Sequence, residues 1–190
     1  MSNSTNPEPE HSTKQGRPRR YPSTPLEGFA DPAVGSFAAG IDELHERTYD
    51  LIVDLPVSAI NFVAPNSALS IGWLATHMIV AEASLIGRIA GQPIPDAVTA
   101  EPNYATFTPY GTELKHFGSG ESIVSLGKMV LAEYTLPALR GVSSIETETG
   151  FEALPTISET LRHLSWHWVY HSGQIGLIRL QWGSDYEWRF

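Results

Sequence analysis

TISETLRHLSWHWVYHSGQIGLIRLQWG, residues 156–183, decides the fold. Thr156 and Glu159 stand at the spacing of a capping box, just ahead of an apolar run. Leu161, Leu164, Trp168, His171, Ile175, Ile178 and Trp182 then recur at alternating intervals of three and four until Gly183. That period is one face of an α-helix closed by a glycine stop.

Working outward, three more segments carry the same period. From about Gly35 to Leu55, the residues Phe37, Ile41, Leu44, Thr48, Leu51 and Leu55 share a face, and Pro56 marks the end. From Ser70 to Ala90 the stripe is Ile71, Leu74, Met78, Ala81 and Leu85, with Ser70 as N-cap and Gly91 as stop. The third segment begins near Gly120 and carries Ile123, Leu126, Val130 and Glu133 before Pro137, which should kink or end it. No convincing strand pattern accompanies these helices, so the expectation is an all-α four-helix bundle. Between the second and third helices lies a long loop, roughly 92–119, holding Tyr104, Phe107, Tyr110 and Phe117 among four prolines. A loop of that length usually has a task, and its aromatics suggest that it packs on the bundle.

Residues 1–33 are rich in Pro, Ser, Thr and Asn and show almost no apolar period, so they read as a disordered or loosely attached arm. The domain proper is expected over residues 34–190. The chain carries a net charge of -9 over 190 residues, and its few basic residues near the start face an acidic remainder. Such a balance argues against nucleic acid as a partner. The N-terminus has no apolar core of a secretory signal, and no run approaches a membrane span, so a cytoplasmic protein without membrane contact is expected. Cysteine is absent. That excludes disulfides, thiolate metal sites and a cysteine nucleophile.

The seven histidines are not equivalent. His77 lies within the stripe of the second helix, and His171 within that of the last. His167 is one turn before His171 on the same face. A lone histidine on an apolar face is usually a hydrogen-bonded core residue, and an HxxxH pair alone is a weak signal. Three imidazoles from two helices in one small core are costly to bury unless they share a partner. One divalent metal satisfies all three and leaves a coordination position open for water or substrate. His163 extends the series but falls at the edge of the buried face, which suits a supporting or solvent-facing role; spacing alone does not exclude a His163/His167 pair. Gln174 can orient a ligand imidazole or serve as an interfacial amide. Gly173 reads as a place where another backbone packs close. Glu82 is the nearest carboxylate to His77, at an angle unsuited to the same ion. The ExxH pattern Glu113–His116 and the similar Asp42–His45 offer a weaker di-iron reading.

Trp73-Leu-Ala-Thr-His77, together with His163-Leu-Ser-Trp-His167-Trp-Val-Tyr-His171-Ser-Gly-Gln174, resembles the DinB/YfiT family of metal-dependent enzymes. The resemblance spans roughly residues 35–183 and includes the helix order and the long second loop. It implies His77, His167 and His171 as metal ligands. Gly173 and Gln174 match the tail of the family motif, while Ser172 replaces its usual Arg, so no role of that Arg carries over. It also implies a transferase or isomerase that uses a low-molecular-weight thiol such as mycothiol or bacillithiol. A metal-dependent hydrolase is the second reading, and a non-catalytic metal-binding stress-response protein the third. A homodimer is the expected assembly. Nitrogen ligands suit zinc and nickel first, with iron also accommodated, and binding is expected to weaken below about pH 6 as imidazoles protonate.

Overall fold

Four helical segments and their caps position everything that follows. The structure, a computed structural model, describes residues 12–65, 67–104 and 116–189. Asp31 caps α1 (Pro32–Ile52) by accepting from the Ala33 amide, and Pro32 sits in the first turn where its missing N–H costs nothing. The helix therefore starts three residues earlier than the apolar period suggests. After the short α2 (Val57–Ile60), Ser70 caps α3 (Ile71–Ala90), and Gly91 ends it in the left-handed region at φ 62°. The capping box of Thr156 and Glu159 opens α7 (Ile157–Trp182), and Gly183 closes it at φ 100°.

The third long segment departs from the simple period. It comprises α5 (Gly120–Met129), a π-helical turn (Val130–Thr135) and α6 (Leu136–Arg140). Pro137 does not end the helix. The widened turn before it accommodates a residue that can neither donate to the ladder nor sit close beneath the carbonyl four residues back. The extra residue in that turn also shifts the phase. Glu133, placed in the stripe by spacing, is exposed, and Tyr134 and Thr135 face the core instead.

The α1 and α3 helices each pack against α7 and against the α5–α6 segment, enclosing one core. Ile41, Leu51, Leu74, Met78, Ile79, Leu161, Leu164, Trp168 and Ile175 are all buried in it. Cutting any of those leucines to alanine costs about 2–5 kcal/mol through lost contacts and the cavity left behind. No helix among the described residues is long and apolar enough to cross a membrane.

Part of the long second loop is described. It contains the short α4 (Asp96–Thr99), and Tyr104 packs on the core. Phe117 is buried, its backbone clamped by Asn61, which donates to the Phe117 carbonyl at 2.9 Å and accepts from its amide at 2.8 Å. Phe107 and Tyr110 lie outside the described residues.

The expected arm holds a strand. β1 (Ser12–Pro18) pairs in parallel with β2 (Ser184–Arg189), from Ser12 beside Ser184 to Pro18 beside Arg189. The sequence of β1 offers no apolar alternation, and what attaches it is polar. Lys14 bridges Asp50 and Asp54, the Arg17 amide donates to Asp50 at 2.9 Å, and Arg17 and Arg20 both reach Glu43 on α1. Gly16 lies directly against the Tyr186 ring, so close that an added Cβ would fall 2.5 Å from it. This portion of residues 1–33 is therefore built into the fold; residues 1–11 are outside the described part.

Candidate metal centre

Helical phase turns His77 on α3 and His167 and His171 on α7 toward each other, and the packing of the two helices brings them together. The ligand nitrogens of the three imidazoles all lie within 4.8 Å of one another, and all three rings are half-buried, so the cluster has a solvent-facing side. His77 Nε2 and His167 Nε2 face each other at 3.1 Å. Two nitrogens about 2.0–2.1 Å from one tetrahedral ion stand at nearly that separation. The His171 ring is edge-on to both others, with centroids 5.2 Å and 4.5 Å away.

Neighbouring groups hold these rings. Trp73 stacks on His77 at 4.7 Å, one turn earlier on α3. His171 Nδ1 donates to Gln174 Oε1 at 2.6 Å, which leaves its Nε2 lone pair for a ligand bond. His167 Nδ1 is buried without a hydrogen-bond partner among the described residues. Burial holds the His77 pKa down to about 4, helped by repulsion from His171. It holds His167 down to about 3, helped by His171, His77 and His163. His171 is also lowered by burial, against a smaller opposing effect of its bond to Gln174. The cluster is therefore neutral at pH 7, as metal ligation requires. With these pKa values lowered, proton competition for a bound ion is expected to begin below pH 6. A set of three neutral nitrogen donors with an open side fits one divalent transition ion.

His163 is exposed and stands outside the cluster, its ring 5.9 Å from that of His167. Gly173 does not meet another backbone as its reading expected; it is exposed, and a Cβ there would touch nothing within 4 Å. Ser172 is buried and ties α7 to α1 through a 2.7 Å bond with Thr48. Glu113 lies outside the described residues. Asp42 and His45 do not form a joint site: Asp42 faces Arg20 at 3.5 Å, and His45 turns inward.

The inward cluster is the part that sequence reading missed. Glu82, fully buried, accepts from His45 Nε2 at 2.6 Å, Trp168 Nε1 at 2.9 Å and Thr135 Oγ1 at 2.6 Å. Tyr49 bonds the other ring nitrogen of His45 at 2.8 Å. Four helical segments thus meet on one carboxylate. It fixes Trp168, the residue that follows His167 on α7. No protein-family model matches this chain, and no curated protein does.

Proposed function

We propose that this chain is a metal-dependent enzyme with a four-helix bundle of the DinB/YfiT type, acting as a transferase or isomerase on a low-molecular-weight thiol. The observation that carries the reading is the convergence of three neutral imidazoles from α3 and α7 on one point with an open side. His77, His167 and His171 would hold one divalent ion, zinc or nickel before iron. Bound there, such an ion supplies a positive charge that lowers the pKa of a thiol brought to the open side. The chain's own groups do the rest. Burial keeps His77 and His167 unprotonated, Gln174 fixes the His171 tautomer, and Trp73 presents a flat apolar wall against His77. The absence of cysteine removes any competing thiol from the chain.

We further propose a homodimer built on the exposed face of α7. Trp166, Tyr170, Leu177 and Leu180 are all exposed at heptad-like spacing around Gly173. Trp166 and Leu180 are each seven residues from Gly173, so a two-fold axis at the glycine lays one on the other in an antiparallel pair. The open space at Gly173 admits the second backbone.

The deciding experiment is elemental analysis of protein purified without an affinity tag, followed by electrophiles and esters assayed with and without mycothiol, bacillithiol and glutathione. Conversion that requires both metal and thiol is expected. Thiol-independent ester hydrolysis that disappears in His171→Ala would establish the hydrolase instead.

A further inference from the structure

On the face of α7 opposite the triad, α1, α7, the segment that follows β1 and the β2 residue Trp188 line a groove of about 640 Å³. Val169 lines it, two residues from both His167 and His171, so its side chain points about 160° away from theirs. Phe37 and Leu44 from α1 and Trp188 from β2 complete its apolar walls. The volume falls within the range of about 300–1,000 Å³ usual for small-molecule sites.

Arg47 is the group that gives the groove a chemistry. It is 6% exposed, and its Nη2 is buried with no hydrogen-bond partner among the described residues. Its Nη1 reaches the carbonyls of Arg17 and Arg189, at 3.5 and 3.4 Å. The guanidinium lies 5.0 Å over the Trp188 ring. A buried cation with an unmet donor is costly unless an anion joins it. Among the described residues Glu43 is the one acidic residue lining the groove, and both its oxygens are already engaged by Arg17 and Arg20. Arg19 and Arg20 line the same groove, with Arg20 paired to Glu43 and Asp42.

We propose that this groove binds a small amphipathic carboxylate, its anionic head on Arg47 and its aryl or alkyl body against Phe37, Leu44, Val169 and Trp188. Arg47 Nη2 is the donor left for a carboxylate oxygen, and the apolar walls exclude a fully hydrated anion. The site is independent of the metal centre and does not rest on the thiol reading.

The test is calorimetric titration of the full chain with octanoate and with its neutral isostere octanamide. Octanoate should bind one per chain, at least about tenfold tighter than the amide. Arg47→Met should bring octanoate down to the amide's affinity. At Gly40 a Cβ meets nothing within 4 Å, so Gly40→Trp should fold and fill the groove, abolishing both ligands. His171→Ala should leave octanoate binding unchanged. Equal affinity for acid and amide, octanoate binding that survives Gly40→Trp, or no binding to the wild type would overturn the proposal. A wild-type dimer that ignores octanoate and separates in Gly40→Trp would assign the groove to a second copy of the chain, and so overturn it too.

Discussion

On the proposed reading His77, His167 and His171 act as one unit, because their nitrogens converge on a single point. Replacing any one by alanine should abolish stoichiometric metal binding, whereas His163→Ala should keep about one ion per chain; elemental analysis of the four variants checks both outcomes. Gln174→Ala removes the acceptor of the His171 Nδ1 proton and should cost about 10–100-fold in metal affinity. The pH dependence has a definite sign. Unfolded histidines take up protons near pH 6.5, while folded His77 and His167 resist until about 4 and about 3. In that window the unfolded chain binds more protons, so the metal-free protein is destabilised as pH falls from 6.5 toward 4. Metal binding, by contrast, should hold through pH 6 and fail toward pH 4, which zinc titrations at pH 7, 6, 5 and 4 will read. Convergence of the three histidines was legible because helical phase is local: position within a stripe fixes which way a ring points. The contacts of Glu82 and Arg47 were not legible, since His45 lies 37 residues from Glu82 on another helix and no period links them.

At the scale of elements, the Glu82 carboxylate is where α1, α3, the π-helical turn and α7 are held in register. Glu82→Ala leaves the His45, Thr135 and Trp168 donors buried without an acceptor, and should cost about 3–5 kcal/mol of stability. Urea unfolding measures this directly, and a loss below about 1 kcal/mol would mean that water enters and replaces the carboxylate. The same register explains why three helix patterns matched their elements to within a few residues while the third did not. In α1, α3 and α7 a cap residue and a strict period agree. In the third segment the π turn inserts a residue that a fixed 3.6 period cannot represent, so Glu133 was placed inward and Tyr134 missed.

For the whole molecule, the helices were readable and the strands were not. Helices α1, α3 and α7 carry their own periodicity, but β1 exists through ion pairs to α1 and through β2 far along the chain. Deleting residues 12–20 removes Lys14, Arg17 and Arg20 from Asp50, Asp54 and Glu43, and leaves Tyr186 without its cover. The melting temperature should fall by several degrees, in contrast to the neutral effect expected of a detached arm; an unchanged value would show that the pairing contributes nothing. The proposed dimer is tested at this scale as well. Tyr170→Glu with Leu177→Glu should convert it to a monomer in light scattering without loss of helix content, since both side chains are exposed.

The pairing of β1 with β2 joins positions 172 residues apart. During synthesis β1 leaves the ribosome long before its partner exists, so it must wait, unpaired, through the synthesis of every helix. Its lack of apolar alternation then becomes a safeguard: a waiting edge made of Ser, Thr, Lys, Gln, Gly and Arg is a poor template for another nascent chain. The two strands can close like a clasp only once Ser184–Arg189 has been made, and a chain halted before Ser184 would be left with that clasp open.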